Sequence, residues 1–412
     1  MKKFLLLTLA TAAIGSAHAQ SNTLSLTQRG NDNQAPVTQR GSTNTLSLSQ
    51  VGTGNRISSV SDRYDTQRGN ANTGAIAVTG DDNQISFNQL GSRTKGTVSI
   101  TGNGNQGRIL LSGTDDEAVL TQIGDNNMGS ASSANGSNNQ VSVVQTGHDN
   151  TGDARFSQGS ANQVSVVQTG DNNTGRAFSY DGSNNQTRVV QTGDNNVGNA
   201  SAYDGSRSQA SVVQTGNGNT GTATASSSFS RNNQASVVQT GDNNTGTATA
   251  TSPFGSNNQA SVVQTGNNNT GTASSVNGRN NQASVVQTGD NNTGFASAYE
   301  GNDNQAHVVQ TGNDNTGYAT ASSSFGSSNQ TSITQMGNAN VVRLAQEQGS
   351  FNTAVILQEG NSNTLRGLES TVAIQQGNNN ALNLTQRGNG NVFQFGQVGD
   401  NNTATVTQGA LN

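Results

Sequence analysis

The chain has 412 residues, yet only 29% are hydrophobic and it contains no Cys and no Trp, which excludes a disulfide-stapled scaffold and a conventional core of two or three globular domains. Only 10% of residues are charged and the net charge is −5, too little self-repulsion for a disordered acidic chain and no basic surface for nucleic acid. Gly, Asn, Gln, Ser and Thr fill the difference, a composition prone to β-assembly.

Residues 1–19 read as a secretory signal peptide. Lys2 and Lys3 form its charged end, an apolar run begins at Phe4, and Ala17-His18-Ala19 is a cleavage site, so that Gln20 starts the mature chain. The run is too short to span a bilayer, and no later segment is apolar enough to do so. Secretion is the expected fate.

From residue 20 to 412 a glycine recurs at an almost fixed interval of eleven or twelve residues, nearly always framed as Q-x-G-x-x-N, with Ser230 filling one slot. Gly30, Gly41 and Gly52 open the series and Gly399 closes it. Self-similarity at a short fixed period signals a stacked repeat. Counted from each glycine, Asn falls at +3, apolar or small residues at +5 and +7, and Gln at +9. Alternate residues of a strand share a face, so these four point inward together. Asn22, Leu24, Leu26 and Gln28 form the first such set, Asn44, Leu46, Leu48 and Gln50 another, and Asn83, Ile85, Phe87 and Gln89 a third. Pro36, outward in the second strand, removes one ladder donor. The expected fold is all-β: a β-solenoid of cross-β type with two strands per coil, about 33 strands and roughly 16 coils.

Two kinds of strand alternate through the middle. The first carries Asn233, Ala235, Val237 and Gln239 inward; the second carries Asn244, Gly246, Ala248 and Ala250. Larger side chains on one wall thus face small ones on the other. Tight turns keep the eleven-residue spacing, and looser, variable turns lie on one edge. Two longer intervals, near 53–68 and 361–376, read as loops bulging from a continuous stack. The last strand keeps the intact set Asn402, Ala404, Val406 and Gln408.

Stacking such coils places like over like. Asn44, Gln50, Asn83, Gln89, Asn139, Gln145, Asn173, Gln191, Asn233, Gln239, Asn258, Gln264, Asn402 and Gln408 are the expected rungs of side-chain amide ladders. The terminal sets, with Leu24, Leu26, Ala404 and Val406, are expected to expose unpaired strand edges, which soluble proteins cap or charge. Two strands with open edges are assembly surfaces for further copies of the chain.

The remaining features are weaker pointers. Outward Val144, Val167, Val190, Val213, Val238, Val263, Val286 and Val309 predict an apolar stripe suited to lateral contact. Outward Thr222, Thr224, Thr247 and Thr249 form a flat array broken elsewhere by Arg176, Phe178 and Phe295. Tyr180, Tyr203, Phe229, Phe254, Tyr299 and Phe325 gather at the looser turns, and turn acids such as Asp125, Asp171 and Asp194 read as turn caps, too sparse for calcium. Beyond the leader only His148 and His307 remain, and no catalytic triad, phosphate loop or metal-ligand cluster can be assembled. No enzyme activity, metal or cofactor is expected.

The tandem N-x-φ-x-φ-x-Q-x-G-x-x-N units behind a signal peptide resemble the curlin family, over nearly all of the mature chain. That resemblance implies a secreted subunit of curli-like amyloid fibre on the bacterial cell surface, serving biofilm matrix, adhesion and aggregation. It also implies a nucleator subunit and an outer-membrane secretion pore as partners. This chain departs from the pattern in having many more repeats and in replacing the second Gln by a small residue, as at Ala202, Ala250 and Ala298. Its repeats also begin almost at the cleavage site, leaving little room for an export segment. The alternative reading is a monomeric β-solenoid displaying a surface, for ice or for adhesion.

Overall fold

A computed structural model describes residues 21–59, 66–226, 231–322, 327–368 and 370–409. The expected signal peptide lies outside the described residues, as do Phe229 and Phe325.

Period-two burial governs the interior strands, while the end strand Thr23–Arg29 is exposed throughout. Gln234–Thr240 alternates exposed and buried positions, with Ala235, Val237 and Gln239 buried, and Thr245–Thr251 does the same with Gly246, Ala248 and Ala250. Successive strands fall on opposite walls of a right-through stack, so the chain winds as a two-walled β-solenoid with no helix among the described residues. The first wall is a 17-stranded sheet that begins with Thr23–Arg29 and ends with Thr403–Gln408. The second wall runs from Gln39–Arg40 to Val392–Val398. It has 16 rungs when the two interrupted strands are each taken as one. Every pairing is parallel and the register sets like on like: Ala210 beside Ala235, Val212 beside Val237, Gln214 beside Gln239.

The core is a thin sandwich between the walls. Its middle pairs Val237 with tiny Ala248 and Ala250 across the coil, whereas towards the ends Leu46, Leu48, Ile85, Phe87, Leu382 and Leu384 fill it. A Cβ on Gly246 would lie 2.7 Å from Val237 Cγ1, so glycine there sets the close approach of the walls.

The tight turn needs two left-handed residues. In Gly241-Asp242-Asn243-Asn244, Gly241 has φ 107° and Asn243 has φ 56°. The glycine was expected from the sequence; the second position is most often Asn or Asp, the non-glycine residues that tolerate this region best, and elsewhere Gly, as at Gly104 and Gly218, or Ala339 and Ser362. Several glycines of the looser edge, including Gly136 and Gly255, are outside the left-handed region.

The two longer intervals interrupt strands, not turns. Arg56–Ser58 and Gln67–Arg68 rest on one strand, Gln84–Gln89, with Ser58 opposite Ser86 and Gln67 opposite Gln89. Thr364–Gly367 and Ala373–Gln376 likewise rest on Val392–Val398, with Gly367 opposite Phe395 and Ile374 opposite Gly396. In both cases the strand stops and resumes in register on the same neighbour. Pro36 has the local effect its missing N–H dictates: the rung that contains it is a strand only at Gln39–Arg40.

Candidate assembly faces and the amide columns behind them

Glutamine at the end of each first-wall strand lies directly over glutamine. From Gln122 through Gln145, Gln168, Gln191, Gln214, Gln239, Gln264, Gln287, Gln310, Gln335, Gln358 and Gln386 to Gln408, each Nε2 donates to the Oε1 of the next at 2.7–2.9 Å. The same Nε2 also reaches backbone carbonyls; that of Gln145 donates to Met128 and Asn150, both at 3.0 Å. The column is not continuous from the start. Gln28 donates to Gln50, but Val78 and Ile100 occupy the next two places. Gln122 opens the long run with its buried Oε1 facing Ile100 and no partner.

The second wall has this column only near its ends. Gln39 donates to Gln67 and Gln67 to Gln89. Leu111, Phe156 and small residues such as Ala202 and Ala250 then hold the place until Gln346 donates to Gln375 and Gln375 to Gln397. Gln346 Oε1 is buried and unpaired over Ala321 for the same reason as Gln122.

Asparagine at the start of each strand bonds to its counterpart in the neighbouring coil, as expected of a ladder, and also braces the next turn. Asn173 Oδ1 accepts the backbone N–H of Asn196 at 3.0 Å, while its Nδ2 donates to the Gly193 carbonyl at 2.6 Å and to Asn150 Oδ1 at 3.1 Å. One side chain therefore braces both ends of the Gly193–Asn196 arch in the next coil. Asn44 braces Gly69 and Asn72, Asn83 braces Gly102 and Asn105, Asn139 braces Gly159 and Asn162, and Asn258 braces Gly278 and Asn281. Asn233 Oδ1 accepts the Asn258 N–H. Where Asp116 replaces Asn, its carboxylate accepts from the Asn139 N–H and side chain and from Ser133 Oγ, so the buried charge is met by donors. The sequence showed that these asparagines are inward; that they hold the neighbouring turn was signalled only by the fixed three-residue spacing from glycine.

Both columns have a direction. Gln Nε2 and the Asn side chain point towards the coil that follows in the chain, and the two ends of the molecule differ accordingly. At the N-terminal face, Leu24 and Leu26 are 43% and 39% exposed although they continue the column of buried Leu46 and Leu48. The Oε1 atoms of Gln28 and Gln39 accept no hydrogen bond there among the described residues. Asn22 braces the Gly41 carbonyl and Asn44 N–H of the coil above. At the C-terminal face Phe393, Ala404 and Val406 are only half-buried against the core. Among the described residues Gln408 Nε2 donates to the Val392 carbonyl alone, and Asn402 Nδ2 reaches only Asn380 Oδ1 and the Val398 carbonyl. Gly388 and Gly390 face open space where other arch glycines press on the next coil.

The outer surface carries the remaining features. Val144 to Val309 stack in one column on the first wall, half-exposed. Tyr180, Tyr203 and Tyr299 point outward at strand ends; Phe178 sits 5.6 Å from Tyr203, and Phe254 is 78% exposed. The turn acids cap arches: Asp171 Oδ1 accepts the His148 N–H and Asp194 Oδ1 that of Asp171, both at 2.8 Å. Among the described residues no group of three or more His, Cys, Asp or Glu converges, and no helix is long and apolar enough to cross a membrane.

Five stretches, residues 19–52, 231–266, 255–289, 278–312 and 377–409, match the family model of the curlin associated repeat. A comparison with curated proteins gave no match. The repeat and the solenoid are structural in kind.

Proposed function

We propose that this chain, which belongs to the curlin family by its repeats, is a secreted structural subunit that polymerises head to tail into extracellular fibre. The observation that carries this reading is the state of the two end coils. Each presents a whole row of backbone N–H and C=O groups, an amide column cut off at an atom without an amide partner, and core residues left half covered. Leu24 and Leu26 are 43% and 39% exposed, so stacking another coil on them buries the remaining apolar surface, worth roughly 0.6–1.3 kcal/mol per side chain, and the backbone row adds to it. No helix, loop or charged rim covers either face among the described residues.

The fibre belongs outside the cell, on the bacterial surface, where it serves matrix, adhesion and aggregation. By family resemblance the partners are other copies of the chain, a nucleating subunit and an outer-membrane secretion pore.

The test is fibre growth followed by dye binding for the mature chain from Gln20. Removing Gln20–Gly52 or Gly377–Asn412 changes an end face while leaving the middle coils, and slows or abolishes growth. Unchanged kinetics for both deletions contradict the reading, and persistently soluble monomers of the intact chain favour a solenoid that displays a surface.

A further inference from the structure

Among the described residues the number of rungs is odd. The first and last described strands, Thr23–Arg29 and Thr403–Gln408, both lie on the first wall, which has 17 rungs against 16 on the second. A second copy that simply repeated the first by translation would set its Thr23–Arg29 strand on Thr403–Gln408. One rung would then be missing on the second wall, between Val392–Val398 and residues 33–40 of the next copy. That vacancy would leave a strand's length of backbone unpaired and Phe393 and Phe395 uncovered.

We infer that successive copies join with a half turn about the fibre axis, so that the walls exchange at every joint. Thr23–Arg29 of the next copy then lies on Val392–Val398, and its residues 33–40 lie on Thr403–Gln408. This rests on the head-to-tail polymer proposed above and specifies its joint. Strand direction permits it, because a half turn reverses the first wall's strands into the sense of the second. With the walls exchanged, each accumulates the same number of rungs and none is skipped.

The side chains at the two faces fit this joint and not the translated one. Across it Leu24 meets Phe393, Leu26 meets Phe395, Ala35 meets Ala404 and Val37 meets Val406, large on large and small on small. Translation would set Leu24 on Ala404 and leave Phe393 without a neighbour. The amide columns also continue with the polarity they have inside the chain. Gln397 Nε2 faces Gln28 Oε1, and Gln408 Nε2 faces Gln39 Oε1. Exchange of walls requires glutamine on both walls near the ends, and that is where the second wall has it; in the middle, which never meets a joint, the column is absent.

The arches agree as well. A half turn places the Gly30–Asn33 arch on the Gly399–Asn402 arch, although within the chain these belong to opposite edges. Both have the tight form: Gly30 and Asp32 have φ 116° and 54°, Gly399 and Asn401 have 110° and 59°. Asn402 can then brace Gly30 and Asn33 as Asn380 braces Gly399 and Asn402.

Because the chain has no cysteine, introduced pairs report the joint directly. Ser25, Gln394 and Thr405 are all outward and exposed. Rungs in register lie about 4.8 Å apart, within the range a disulfide spans. Filaments of Ser25→Cys/Gln394→Cys, oxidised after assembly, should lose their monomer band on a denaturing gel to a ladder of covalent oligomers, whereas Ser25→Cys/Thr405→Cys filaments should remain monomeric on the gel. The reverse pattern, equal linking by both pairs, or no linking by either in filaments that do form, overturns the half-turn joint and leaves the polymer standing. Failure of the unmodified mature chain to form filaments overturns the polymer and the joint with it. If the first pair alone fails to assemble, Thr23→Cys/Val392→Cys against Thr23→Cys/Thr403→Cys decides by the same criterion.

Discussion

Asn173 shows how one side chain can specify register in a stack with few large apolar groups. It satisfies an N–H and a C=O of the next coil that would otherwise be buried and unpaired. Net hydrogen bonds contribute about 1 kcal/mol each, but a buried orphan costs about 1–3 kcal/mol, so the brace penalises wrong register more than it adds bulk stability. Asn173→Ala should lower the unfolding free energy of freshly desalted monomer by about 1–3 kcal/mol, read from the denaturant midpoint. An unchanged midpoint would remove the brace from the account. His307 gives a second residue-scale test. It stands half-buried in a column otherwise filled by Ser284 and Ser332, and desolvation draws its pKa below the ordinary 6.5. The unfolded chain therefore binds the proton more readily, and stability is lost as pH falls through 6.5 towards the folded value. Between pH 7 and pH 5 the native chain should lose more stability than His307→Ser, measured by the shift in denaturant midpoint.

At the scale of the strand and its turn, the sequence is most readable where a residue type repeats its physical task. The inward set at +3, +5, +7 and +9 emerges directly from period two, and strands such as Gln234–Thr240 bury those positions. The left-handed residue two places after glycine was not evident, because Asn and Asp also fill turns for their hydrogen-bonding reach. Nor does glycine spacing distinguish an extra loop at a turn from one within a strand, since both lengthen the interval equally; the pairing of Ser58 and Gln67 to the same neighbour does. Deleting residues 60–65 should therefore restore an uninterrupted rung, keep the stack and leave the denaturant midpoint equal or higher. A fall would mean that those residues hold the fold. In contrast, Gly241→Ala places a Cβ 2.1 Å from the Gly266 carbonyl oxygen at φ 107°. It should destabilise by at least about 1–3 kcal/mol in the same assay.

Taken whole, the molecule is a rod on the order of 80 Å long if each rung adds about 4.8 Å. Its stability is a sum over neighbouring coils, so the middle can vary and still hold while the ends decide what the rod does. The middle coils save space with Gly and Ala opposite Val; the end coils return to fuller cores and to glutamine on both walls. The strand count was legible in the sequence, but its consequence needed the assignment of first and last strands to one wall. The most direct measurement of the central claim is X-ray fibre diffraction from aligned filaments of the mature chain. Coils stacked without a break through the joints predict a sharp meridional reflection at about 4.7–4.8 Å. Filaments lacking that reflection, or coils running across the fibre instead of up it, would contradict the account.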